Sequence, residues 1–374
     1  MGQLRSNAGQ NESEKIHRNL SKSRGCQEVG RPTSAAGRSL TAMHKFLVQI
    51  PRNLVHLFFT PGSLDKLNRL GEVVWNPYDR PFTEQELAER IRGVDTVITS
   101  WKSAPFTDAV LHHADRLQWI AHMAGSVKPI LPTTEVYQRG IRVLNSNYAI
   151  AVSVSESVLA LILALGHKIV PVDKVMRAGG NAKSSTYETC ELRGRTVGLV
   201  GLGMVAREVI RLLQPFQVRI LGYDPFISKA KAEELGVELR QLHELLAESD
   251  VISLHAPKVP ETYQMIGRHE LSFIRDGALL INTARGDLID ESALIEELRL
   301  GRFNAALDVF ALEPLATDSE LRRMDNVIVR PHLAGVNPDS RLRIGTLMVE
   351  ELERALQGAP LRFEVKEEQL AIMT

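Results

Sequence analysis

The clearest chemical spacing in this chain is Gly201-Leu202-Gly203-Met204-Val205-Ala206, which follows directly on the apolar run Thr196–Val200. Gly201 permits a tight turn, and Gly203 lets the backbone approach a pyrophosphate. Ala206 is small enough for close helix–strand packing. Val205, Val209, Leu212 and Leu213 then recur on one helical face. The free amides and positive dipole end of that helix would face phosphates. Asp224 ends the next apolar run, at the distance where an acid takes a ribose 2′-hydroxyl. A carboxylate there repels a 2′-phosphate, so the cofactor expected is NAD rather than NADP.

The segment from Leu192 to Gly335 resembles the D-2-hydroxyacid dehydrogenase family motif by motif. Glu191-Leu192-Arg193-Gly194-Arg195-Thr196-Val197-Gly198 is similar to that family's lead-in to the glycine loop. Ser253-Leu254-His255-Ala256-Pro257, Pro260-Glu261-Thr262 and Ile281-Asn282-Thr283-Ala284-Arg285-Gly286-Asp287 follow in its order. Ala306-Leu307-Asp308-Val309-Phe310, Glu313-Pro314 and Pro331-His332-Leu333-Ala334-Gly335 complete the set. The resemblance puts the catalytic Arg, Glu and His on Arg285, Glu313 and His332. Those residue types suit the reaction. A guanidinium forks onto a carboxylate and polarises the C2 oxygen. An imidazole takes the hydroxyl proton as hydride leaves, and a carboxylate fixes the imidazole's orientation.

The resemblance also assigns contacts by position. Met204 and Val205 should lie under the pyrophosphate. Thr283, Ala284 and Arg285 should line the nicotinamide, and Asp308 should face its carboxamide. His332 to Gly335 should close the pocket. His255 either joins them or is a strand-end histidine satisfied by backbone. Gly125, Ser126 and Val127 correspond to a glycine turn whose amides grip the substrate. The family often has Asp shortly after that glycine, whereas this chain has Ser126, Lys128 and Pro129. Substrate preference therefore does not transfer. Trp101 and Lys102 follow another strand and either face the substrate or serve structure.

These residues need strand ends to hold them. Apolar runs at 45–50, 73–75, 94–98, 117–121 and 141–144 read as strands, with helices over 83–92 and 107–114. A second alternation gives strands at 196–200, 218–222, 250–254, 278–281, 305–309 and 327–329. Its helices fall at 204–213, 241–247 and 290–300. Alternation of this kind implies parallel sheets covered on both faces. The expected architecture is α/β, with two doubly wound parallel-sheet domains. Residues 44–147 form a flavodoxin-like substrate domain to which 337–374 returns, and 148–336 form a Rossmann nucleotide domain. Ser153-Val154-Ser155-Glu156 has the form of a capping box opening a nearly all-apolar helix to Leu165. Asn337-Pro338 opens the last helix. Residues 1–43, rich in Ser, Asn, Gly and Arg, read as a disordered tail.

Composition narrows the functional classes. The 374 residues carry 45 basic and 45 acidic side chains, so no net field draws the chain to nucleic acid or to an acidic membrane. The run Val158–Leu165 is far short of the roughly 20 residues that span a bilayer. Two separated cysteines, Cys26 and Cys190, build neither a disulfide framework nor a metal site, which suits a reducing cytoplasm. The expected partners are a small 2-hydroxy or 2-keto acid and a second copy of the chain in a homodimer, which the apolar helix at 153–165 suggests. The alternative is a non-enzymatic, NAD-sensing, co-repressor-like protein of the same fold. It is separated by turnover of 2-keto acids. Formate dehydrogenase is a weaker rival, since Glu313 beside His332 suits a proton-transferring 2-hydroxyacid reaction better, and a plain structural Rossmann domain leaves Arg285, Glu313 and His332 unexplained.

Overall fold

The computed structural model describes residues 43–181 and 187–373; the expected tail, residues 1–43, lies outside them but for Met43. The chain divides into two compact units. One runs to Ser146 and takes back Arg341–Glu367. The other comprises Asn147–Ser340 with the residues from Glu368 onward. The last residues thus fall with the second unit, where the sequence had sent everything after 336 to the first.

In the first unit the strands are β1 (Lys45–Val48), β2 (Glu72–Trp75), β3 (Thr96–Thr99), β4 (Trp119–His122) and β5 (Arg142–Asn145). They are parallel, in the order β5-β4-β3-β1-β2. A short strand at Glu364–Val365 adds antiparallel to β5, and sequence reading had missed it. Phe46, Leu47, Val97 and Ile98 are fully buried, as strands covered by helices on both faces must be. The helices start where their polar caps dictate. Thr60 accepts from the Ser63 amide ahead of Pro61–Leu70. Thr83 and Glu86 form a capping box ahead of Glu84–Arg90. The expected helix at 107–114 contracts to Asp108–Leu111. This flavodoxin-like order reverses between β1 and β3, and ligands of such sheets bind at the strand C-termini there.

In the second unit the strands are β6 (Thr196–Val200), β7 (Arg219–Tyr223), β8 (Glu238–Leu239), β9 (Val251–Leu254), β10 (Leu279–Asn282), β11 (Asn304–Leu307) and β12 (Val327–Val329). All are parallel, in the order β12-β11-β10-β9-β6-β7-β8, so the reversal falls between β6 and β9. The Asn147–Gly166 helix begins six residues before Ser153. Ser153 is therefore a buried helix residue, whose hydroxyl accepts from the Asn337 side chain at 3.2 Å, and not a cap. The helix is long and apolar enough to cross a membrane. Val158, Leu161, Ile162 and Leu165 nevertheless belong to this unit's core, together with Val197, Leu199 and Ile281 of the sheet. Asn337 caps the Pro338–Leu356 helix as expected, accepting from the Ser340 amide at 2.8 Å.

Candidate active site

The glycine loop has the geometry that its residue types require. Gly201 sits at φ 90°, and a Cβ there would lie 2.8 Å from the Ala256 amide nitrogen. Gly203 has open space around it and caps the Met204–Leu213 helix, which buries Ala206, Val209 and Leu213. Met204 is 43% exposed at the first turn, and Val205 is half-buried. Asp224 ends the next strand. Its carboxylate accepts from the Leu202 amide at 2.8 Å and from the Phe226 amide at 2.9 Å. The acid thus anchors the glycine loop as well as standing at the ribose position. Replacing Asp224 with Ala should raise the NADP-to-NAD ratio of kcat/KM by about tenfold or more. Steady-state kinetics with both cofactors measure it, and an unaltered ratio would remove Asp224 from cofactor selection.

The C-terminal ends of β9 and β10 carry buried polar atoms without hydrogen-bond partners among the described residues: Ser253 Oγ, His255 Nε2 and Thr283 Oγ1. Buried polar groups are ordinarily paired. These orphans, with the open glycine loop, fit a dinucleotide lying across the reversal point. His255 is therefore not satisfied by backbone at Nε2, although its own amide donates to Val200 O at 2.7 Å. Ala256, which the sequence reading left without a role, lies with the His255 carbonyl carbon where the Gly201 turn comes closest.

Burial pushes His255 down to about 4, so its imidazole is neutral at physiological pH. In the first unit burial likewise lowers His122 to about 4, opposed by a hydrogen bond with the Ser126 backbone. Each histidine takes up a proton on unfolding. Their stabilising effect is therefore complete above the unfolded value of about 6.5 and falls as pH drops toward 4, by up to about 3 kcal/mol per histidine. Denaturant unfolding between pH 7 and pH 4 measures this; a flat profile would show that neither imidazole is held neutral.

Arg285, Glu313 and His332 are positioned by the ends of β10, β11 and β12. Asn282, fully buried, makes an Asx turn: its Oδ1 accepts from the Ala284 amide at 3.1 Å and its Nδ2 donates to Arg285 O at 2.9 Å. That turn presents Arg285, whose Nη1 donates to Ala284 O at 2.6 Å. Burial lowers the Arg285 guanidinium from its ordinary value, and the charge of Glu313 opposes this. Thr283 is nearly buried beside it. Gly286 explains how the loops come together: a Cβ there would lie 1.9 Å from the Phe310 carbonyl carbon. Glu313 accepts from the Phe310 amide at 3.1 Å and bonds His332 Nδ1 at 2.7 Å. A carboxylate only accepts, so Nδ1 carries the proton and Nε2 presents a lone pair.

His332 sits at φ 55°, a left-handed conformation that a non-glycine residue holds only when its surroundings enforce it. Asp308 supplies that enforcement. Fully buried, it accepts from the Leu333 amide at 3.0 Å and from the Ala334 amide at 2.8 Å, while its carbonyl takes the His332 amide at 2.7 Å. Asp308 thus holds the loop that presents His332. Gly335 fixes the far end of the same loop. It is buried against Ile150 and Val154, with 2.7 Å left for a Cβ, so it packs the loop onto the Asn147–Gly166 helix. The signals for Asn282 and Asp308 were present, each being a polar residue in an apolar strand end, but their bonds are not readable from sequence.

In the first unit the amides of Gly125, Ser126 and Val127 donate to no group among the described residues. The Asn145 side chain holds the Gly125 carbonyl. Val127 itself is buried, so its contribution is its backbone.

Comparison with known proteins places these features in context. The family model described as the D-isomer specific 2-hydroxyacid dehydrogenase, NAD binding domain, matches residues 159–334. D-3-phosphoglycerate dehydrogenase of Archaeoglobus fulgidus is 34% identical over 282 residues, 75% of this chain and 53% of that protein. This chain therefore spans about half the length of those relatives. Glyoxylate reductase of Korarchaeum cryptofilum is 33% identical over 308 residues, 81% of this chain and 92% of that protein. Among solved structures, D-mandelate dehydrogenase of Rhodotorula graminis superposes with a TM-score of 0.75 at 25% identity, covering 87% of this chain and 98% of that one.

Proposed function

This chain belongs to the D-isomer specific 2-hydroxyacid dehydrogenase family, and on that premise we propose that it interconverts a small D-2-hydroxy acid and its 2-keto acid with NAD(H). The observation that carries the proposal is the 2.7 Å bond between Glu313 and His332 Nδ1, on a loop held in a left-handed conformation, with the half-buried Arg285 guanidinium feeling the charge of the same Glu313. When bound, NAD(H) supplies the hydride exchange at C2. His332 Nε2 takes the C2 hydroxyl proton during oxidation and returns it to the carbonyl oxygen during reduction. Glu313 fixes the tautomer and steadies the imidazolium. Arg285 grips the substrate carboxylate and polarises the C2 oxygen; its partial desolvation strengthens that contact. In the first unit, the free amides of Gly125, Ser126 and Val127 are a second carboxylate-binding element.

NADH absorbance followed with glyoxylate, pyruvate and hydroxypyruvate tests the proposal. Oxidation of NADH by at least one of them is expected; binding of NADH with no turnover across a broad 2-keto acid panel would refute it. The homodimer belongs to the same proposal. Ile169, Val170 and Met176 are each at least half exposed on the helix after Asn147–Gly166, and a second copy of the chain would cover them. A monomer in sedimentation at micromolar concentration would remove that part.

A further inference from the structure

The C-terminal edge of the first unit's sheet carries more positive charge than one carboxylate requires. Arg52 follows β1, Lys102 follows β3 and Lys128 follows β4, three neighbouring parallel strands. All three side chains are exposed and have neither an ion pair nor a side-chain hydrogen bond among the described residues. Elsewhere in the unit Arg80, Arg116, Arg139 and Arg142 are each held by a carboxylate. The stretches 51–56, 101–107 and 123–134 contain no Asp or Glu. Unpaired cations therefore collect at the edge where the strand order reverses, between β1 and β3, the place where such sheets bind ligands.

The backbone adds an independent observation. Ser103 N donates to Ser100 O at 3.2 Å, and Ser100 N to Ser103 Oγ at 2.9 Å, closing a tight turn with Trp101 and Lys102 at its tip. Lys102 sits at φ 63°, where turns favour Gly or Asn. A lysine held there is strained, and strain of this kind collects at binding sites. The base of the turn is rigid. Buried Gln49 clamps Ala104 from the end of β1, its Oε1 accepting from the Ala104 amide at 3.0 Å. Trp101 is 37% exposed, its ring centroid 6.0 Å from that of Phe58, so the turn offers an aromatic face next to the cation.

We infer that the acid taken by this chain carries a second anionic group, a carboxylate or a phosphate beyond C3, and that Lys102 with Arg52 recognises it. The free amides at Gly125–Val127 answer the C1 carboxylate, which leaves these cations for the distal group. Lys128 flanks the same edge. The inference rests on the dehydrogenase reading above and narrows its substrate.

The test compares kcat/KM for 2-keto acids differing in distal charge: 2-oxoglutarate against 2-oxohexanoate and oxaloacetate against 2-oxopentanoate, each pair matched in length, and phosphohydroxypyruvate against hydroxypyruvate, which lacks the phosphate. The first two pairs report a carboxylate, and the third a phosphate. At least one anionic member should exceed its uncharged partner by about tenfold or more, with a preference that weakens as salt rises. Lys102→Gln should cut that ratio about tenfold, and Lys102→Arg should keep most of it. Lys102→Gly, which suits the positive φ and so folds, should lose the ratio as Gln does. A purely structural lysine would depress both members of a pair and leave their ratio unchanged. Equal kcat/KM within every pair, or a ratio intact in Lys102→Gln, overturns the inference while leaving the dehydrogenase reading in place. Turnover of none of the six acids, nor of glyoxylate or pyruvate, overturns both, whereas turnover of glyoxylate or pyruvate alone overturns only the inference.

Discussion

Replacing His332 with Gln should lower kcat by roughly 10³- to 10⁴-fold while NADH still binds. Glutamine keeps a donor toward Glu313, which now holds the imidazole at 2.7 Å, but it cannot exchange a proton in the working range. The backbone cost does not change sharply. His332 already occupies φ 55°, and the Asp308 contacts that hold it there come from the main chain of residues 332–334. The loss should therefore lie in chemistry and not in folding. Single-turnover absorbance at saturating keto acid gives the rate, and NADH fluorescence titration gives the affinity. Turnover within about tenfold of the wild type would remove His332 as the acid–base group. Abolished NADH binding would instead make it a cofactor residue.

What the sequence disclosed follows from where local chemistry decides structure. The Met204–Leu213 helix was legible limit for limit, because Gly203 precedes it and apolar residues recur at helical spacing; of the expected face Val209 and Leu213 are buried and Val205 and Leu212 half-buried, while Ala206 and Ile210 complete the buried side. Asp290 and Asn337 announced helix starts through side chains that accept from the amide three residues on. Ser153 misled for the converse reason. Its helix is buried along both flanks, so no polar rhythm marks the true start at Asn147. Ser155 merely bonds back to Val152 O at 2.8 Å within it. The strand at Glu364–Val365 was invisible, since two residues carry no period and their pairing with β5 spans most of the chain. The Arg142 ion pair with Glu364 that accompanies it is equally non-local.

The site divides along the same line. Gly201, Gly203 and Asp224 were readable because one strand–helix–strand unit contains their whole chemistry. Arg285, Glu313 and His332 needed the order of motifs, since three strands separate in sequence bring them together. The left-handed backbone at Lys102 had no signal, because lysine does not favour it, and His332 carried only the weak one of a residue type enriched there.

Gly286 shows how that convergence depends on one missing methyl group. An alanine Cβ at this position would lie 1.9 Å from the Phe310 carbonyl carbon, 2.0 Å from its oxygen and 2.5 Å from the Ala311 nitrogen. All three are backbone atoms, so no rotamer change relieves the clash, and one loop must move. Arg285 stands one residue before the glycine. The Phe310 amide on the other side is the donor to Glu313 Oε1 at 3.1 Å. Gly286→Ala should therefore pry the guanidinium away from the carboxylate that orients His332. A stability loss of about 2–4 kcal/mol is expected from the forced backbone shift. The protein that remains folded should show kcat/KM lowered about 100-fold, the effect of displacing a positioned group by about 1 Å. Denaturant unfolding and kinetics well below the transition separate the two effects. A folded variant with lost stability but unimpaired kcat/KM would mean that the close approach of these loops serves packing alone, and that Arg285 and Glu313 need not act together.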